Sequence, residues 1–120
     1  MFLKKTQRRA FLKRPEAAWG LFNEKGALIG YLFIYFYKYT ARLYSIGIAP
    51  EYQGQGLGKK LMEFYISLSK ERGYKFLSLE VNTDNLRAIN LYKSFGFEVT
   101  QTLKDYYEEG VHAYRMKRKI

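Results

Sequence analysis

Along the stretch that begins at residue 57, the apolar positions Leu57, Leu61, Phe64 and Leu68 recur at intervals of four, three and four. That spacing puts them on one face of a helix starting at Leu57 or Gly58 and ending at Gly73. A second pattern of this kind places Ala88, Leu91, Tyr92 and Phe95 together; Thr83 or Asp84 can cap its start, and Gly96 ends it. Elsewhere the pattern is that of strands. "AAWGLF" reads as one, "NEKG" as a hairpin turn, and "ALIGYLFIYFYKYT" as a long strand. The last is apolar or aromatic at nearly every position, so it is expected to be covered on both faces. "RLYSIGIAP" is stopped by Pro50, which has no N–H for a ladder. "KFLSLEV" alternates, and "FEVTQTL" and "HAYRMKRKI" close the chain around the turn "KDYYEEG". The order is α+β: antiparallel hairpins first, then a strand–helix–strand–helix core with at least one parallel pair.

Length and composition change this picture little. A chain of 120 residues makes one domain, here residues 15–120 behind a basic segment of residues 1–14. That segment reads as a tail or a short amphipathic helix, with Leu3, Ala10 and Phe11 on one side and Pro15 as its stop. Twelve Tyr and nine Phe imply a core built from rings. No stretch approaches the roughly 18 uninterrupted apolar residues of a membrane span, and the N-terminus lacks the apolar segment of a secretory signal. The expected location is the cytoplasm, without membrane. With no Cys, disulfides, thiolate metal sites and a cysteine nucleophile are excluded, and no metal is expected.

Charge is uneven. The net charge is +10; residues 1–14 hold six Lys or Arg and no acid, and residues 115–120 hold four more. The remaining 11 basic residues balance the 11 acidic ones, so the excess sits in two terminal segments. Two readings are open: association with a polyanion such as RNA or a ribosome, or solvated ends that aid solubility.

The stretch "EYQGQGLGKK" carries the first candidate chemistry. Gly54, Gly56 and Gly58 leave the backbone bare where a helix begins, which suits an anion. The nucleotide-triphosphate loop is excluded, because Gln53 replaces its first glycine and Lys60 its Ser or Thr. The dinucleotide fingerprint also fails, since these glycines are spaced two and two. What does fit is Q-x-x-G-x-G, formed by Gln53, Gly56 and Gly58. It resembles the acetyl-coenzyme A loop of the GCN5-related N-acetyltransferase (GNAT) superfamily. "LEVNTDNLRAINLYKSFGF" is similar to that superfamily's other signature, a strand followed by N-x-x-A-x-x-L-Y-x-x-x-G-F. Its positions here are Asn85, Ala88, Leu91, Tyr92, Gly96 and Phe97. Within the superfamily, "GFEVTQTLKDYYEEGVHAYRM" resembles the ending of the ribosomal-protein alanine N-acetyltransferase group, with Tyr106, Tyr107, Ala113 and Met116 in step.

The resemblance implies a mixed, largely antiparallel sheet with a central splayed parallel pair and flanking helices. It also implies acetyl-CoA as cofactor and a primary amine as acceptor, above all a protein N-terminal α-amine. A small amine such as a polyamine or antibiotic is the alternative acceptor; a non-catalytic CoA-binding or nucleic-acid-binding domain is the alternative class. Gln53, Gly54, Gln55, Gly56, Leu57, Gly58 and Lys59 would meet the diphosphate, with Lys60 turned to water. Ile46, Gly47 and Ile48 would pair with the pantetheine arm as a strand does, with the Ile48 N–H on the thioester carbonyl. Gly47 further suggests a bulge or a close backbone approach. Glu80, the one charged residue of an apolar strand, would be a general base with a pKa raised by desolvation. Tyr92 would protonate the departing thiolate, and Asn85 would contact the cofactor arm or cap its helix. Tyr106 and Tyr107 would hold the acceptor. Without a thiol to carry the acetyl group, direct attack by the amine is expected. His112 reads as a rim or structural residue.

Two features depart from the resembled pattern. Asn82 follows "LEV" where the group usually has Arg. The superfamily also begins with a strand and one or two helices before the counterpart of "AAWGLF", and here 14 residues take that place. Three alternatives stay open: an acceptor site open to a large substrate, a homodimer covering a sheet edge, or a chain of low activity.

Overall fold

A computed structural model of the chain describes residues 1–5 and 17–120. Its centre is a seven-stranded sheet: β1 (Phe2–Lys5), β2 (Ala18–Phe22), β3 (Leu28–Phe36), β4 (Thr40–Ile48), β5 (Phe76–Asn82), β6 (Glu98–Glu108) and β7 (Val111–Lys119). Two α-helices accompany it among the described residues, α1 (Leu57–Glu71) and α2 (Leu86–Ser94). Spatial order is β1-β2-β3-β4-β5-β7-β6, antiparallel throughout except for the parallel pair β4–β5. This is the α+β arrangement expected from the order of elements.

Alternation along β3 explains which face is buried. Leu32 and Ile34 have no exposure, whereas Tyr31 is 38% exposed. The buried set joins Trp19, Leu61, Met62, Tyr65, Leu77, Leu79 and Met116 in one core beneath the helices. Arg72, just past α1, closes its end by lying over the Trp19 and Phe36 rings at 5.6 and 4.9 Å from their centroids.

Several boundaries differ from the sequence reading. Phe2–Lys5 form an edge strand rather than a tail or helix, because their backbone finds a ladder on β2; the rest of that expectation lies outside the described residues. The long aromatic strand stops at Phe36, and Thr40 already begins β4. Nor is it covered on both faces, since Tyr31, Tyr37 and Tyr39 are exposed among the described residues. The C-terminal basic run is no tail, because β7 lies between β5 and β6. Strand β6 runs through Tyr106 and Tyr107 to Glu108, into the stretch predicted as a turn; a register shift and Asp105 at φ 55° absorb the irregularity.

Candidate functional site

The site begins where β4 and β5 part. They pair only from Thr40–Phe76 to Leu43–Leu79. Beyond that, β4 stays with β3 while β5 stays with β7. The cause is local. Phe33 faces Ser45 and the next residue, Ile34, faces Leu43, so Tyr44 is an extra residue in β4. Such a bulge bends its strand and raises its twist. The sequence reading offered a bulge or a close approach at Gly47. The bulge is at Tyr44 instead, and Gly47 is a close approach, since a Cβ there would collide with the Tyr31 ring. On the paired side, the buried Tyr65 hydroxyl of α1 donates to the Ala41 carbonyl at 2.5 Å and lies 3.4 Å from that of Ser78. One helix residue therefore ties the two strands together just before they separate.

The parting leaves a slot of about 230 Å³ lined by Leu43, Ile46, Glu80, Asn82, Tyr92 and Tyr107, among others. Antiparallel ladders use alternate residues, and the Ala49 N–H bonds Ile29 on β3. The main chain of Ile46 and Ile48 is thus turned toward the slot, while that of Gly47 faces β3. The Gln53 amide donates to the Ile48 carbonyl at 3.0 Å, which ties the following loop to the slot's mouth.

That loop ends at the N-terminus of α1. Gly54 and Gly56 have φ of 79° and 77°, a left-handed backbone that favours glycine. Gly56 caps the helix with no side-chain hydrogen bond, and the first turn holds no acid. The first intrahelical bond is Lys60 N–H to Gly56, so the N–H groups of Leu57, Gly58 and Lys59 precede any helical partner. Exposed Lys59 and Lys60 add positive charge at the positive end of the dipole. Gly58 has neither a left-handed φ nor a neighbour within 4 Å of a would-be Cβ. The fold itself gives no reason for that glycine. A helix start without a side-chain cap, without acid and with bare donors suits an anion.

Across the slot stands Tyr92, 8% exposed, its ring 6.3 Å from that of Phe97. Burial, then the nearby Tyr107, pushes its pKa up, so the phenol stays a proton donor. Burial raises Tyr107 too, followed by Tyr106 and Glu80. Asn85 caps α2, accepting from the Ala88 N–H at 3.2 Å. Neither Thr83 nor Asp84 takes that place, because Asn82 turns the chain by accepting the Asp84 N–H. His112 accepts the Asp105 N–H through Nδ1 at 2.9 Å, a hairpin contact.

The Glu80 side chain is 6% exposed and is not the lone carboxylate the sequence suggested. Its Oε1 accepts from Arg42 Nε at 2.7 Å and its Oε2 from Arg115 Nε at 3.2 Å. Arg42 reaches on to the Tyr106 hydroxyl and Arg115 to Gln101. Sequence reasoning missed both arginines. Arg42 is the one charged residue of β4, the same signal that singled out Glu80, whereas Arg115 is masked by the basic run that follows it in β7.

Two buried phenols give a pH signature. Burial lifts Tyr65 and Tyr92 above their ordinary value of 10.0. The folded chain then keeps protons that the unfolded chain sheds, so their contribution is whole below pH 10 and is lost as pH rises through the folded values. Thermal melts are expected to hold level in neutral solution and to fall increasingly above that pH.

Known proteins resemble this chain in sequence and fold. The model of the acetyltransferase (GNAT) family matches residues 2–97. A Bacillus subtilis protein, provisionally named a [ribosomal protein bS18]-alanine N-acetyltransferase, is 38% identical over 82% of this chain and 65% of its own length. The Escherichia coli K12 protein named for that activity is 43% identical over 56% of this chain and 45% of its own. The chain thus spans less than two thirds of these relatives. The crystal structure of Ard1 from Thermoplasma volcanium superposes with a TM-score of 0.82 at 32% identity, covering 88% of this chain and 72% of that one.

Proposed function

The chain belongs to the acetyltransferase (GNAT) family, and we propose that it moves the acetyl group of acetyl-CoA directly to a primary amine, a protein N-terminal α-amine above all. The observation that carries this is the pairing of a helix start free of acid and of any side-chain cap with a slot that ends at a buried, protonated tyrosine. The relatives named for alanine acetylation of ribosomal protein bS18 support an α-amine acceptor. Acetyl-CoA supplies an activated acetyl thioester. The main-chain donors from Gly54 to Lys59 hold its diphosphate, with Gln53 bracing the loop through Ile48. Ile46 and Ile48 offer backbone groups to the pantetheine amides, and the Ile48 N–H polarises the carbonyl. Tyr92 gives a proton to the departing sulfur. Glu80 takes one from the attacking amine, directly or through water, and Tyr106 and Tyr107 flank the acceptor.

Thiol release from acetyl-CoA in the presence of peptides with free N-termini tests the proposal. Release that requires the peptide amine is expected, and Glu80→Gln is expected to lower kcat/KM by about 10²-fold or more. Acetyl-CoA binding without release, whatever amine is supplied, would defeat it.

A further inference from the structure

On the sheet face turned away from the helices, a cleft of about 520 Å³ runs from Glu80 past Arg42, Arg115 and Lys117 to Phe76 and Tyr37. Glu80 lines both this cleft and the slot, so the two meet at its carboxylate. The charge is lopsided: three cations face one carboxylate among the described residues. Glu80 pairs with both arginines, whereas the exposed Lys117 has no ion pair among the described residues. The Arg42 and Arg115 side chains are 22% and 32% exposed and both line the cleft.

Glu80 sits between Arg42 and Arg115, so the cleft is net positive along its length and attracts carboxylates. Because it joins the slot at Glu80, its ligand is the molecule whose amine enters the slot, which an extended peptide satisfies and a polyphosphate chain does not. From Glu80 to Phe76 is four residues of strand, about 13 Å at roughly 3.3 Å per residue, which accommodates a similar length of extended peptide. We propose that this cleft reads the acceptor's second to fourth residues and selects Asp or Glu there, making acidic N-termini the preferred substrates. This rests on the acetyltransferase reading above but can fail separately from it.

The test is binding rather than turnover. Three peptides with the same free N-terminus, carrying Asp, Ser or Lys at residues two to four, are titrated calorimetrically into the protein saturated with CoA. The acidic peptide is expected to bind at least tenfold more tightly than the Ser peptide, the Lys peptide to be weakest, and the spread to shrink in high salt. Lys117→Glu, an exposed substitution, is expected to remove most of the acidic peptide's advantage. Equal affinities, preference for Lys, or tighter binding of a single-stranded oligonucleotide than of the acidic peptide would overturn the inference. Thiol release without charge preference sinks this inference alone, whereas absent thiol release sinks the acetyltransferase reading and leaves the binding comparison intact.

Discussion

Replacing Tyr92 with Phe is expected to lower kcat by about 10²–10⁴-fold while sparing both the fold and the affinity for acetyl-CoA. The ring fills space between the slot and Phe97, and Phe keeps that packing. Only the hydroxyl is lost. In a buried setting that hydroxyl stays protonated far past neutrality, which makes it a ready donor at the slot and a poor base. Tyr107 is the one rival on the same wall with a raised pKa, but it is 49% exposed. Solvent can replace its proton, so Tyr107→Phe is expected to cost far less. Pre-steady-state and steady-state kinetics on both variants, beside their melting curves, read the difference. An unchanged kcat in Tyr92→Phe would mean that the leaving sulfur is protonated by another group.

Gly58→Ala is expected to move stability and binding in opposite directions. Alanine is favoured over glycine inside a helix by roughly 1 kcal/mol, and Gly58 has an ordinary backbone with open space around a would-be Cβ. The unliganded protein should therefore melt slightly higher. A methyl beside the bare N–H groups of the first turn would stand where a diphosphate must approach, so acetyl-CoA affinity should fall tenfold or more. Gly56→Ala is the contrasting variant: its φ of 77° strains any side chain, and stability should fall as well. Thermal melts with calorimetric titration separate the cases. If Gly58→Ala stabilised the protein and left affinity intact, the loop would be a turn and no more.

How far the sequence was legible depended on the range of the contacts. Both helices, the hairpin at residues 23–26 and the stop at Pro50 follow from local spacing, and the sheet bears them out. The glycine loop was legible for the same reason, since one helix start contains all of it. The Glu80 ion pairs were not, because they join residues 35 and 38 positions apart through sheet register. Charge in the last six residues looked like a tail until β7 took its place between two strands, where Arg115 bonds Glu80 and Arg118 bonds the Phe95 carbonyl. The bulge at Tyr44 has no local mark either. It arises from how β3 and β4 share their register, and it opens the slot.

The central claim is that the helix start between Gly54 and Lys59 grips a diphosphate and so directs a thioester to Tyr92. A crystal structure of the acetyl-CoA complex tests this most directly. The expected result is phosphate oxygens within hydrogen-bonding reach of those main-chain N–H groups, with the sulfur beside the Tyr92 hydroxyl. A diphosphate bound at any other surface, with the slot between β4 and β5 left vacant, would contradict it.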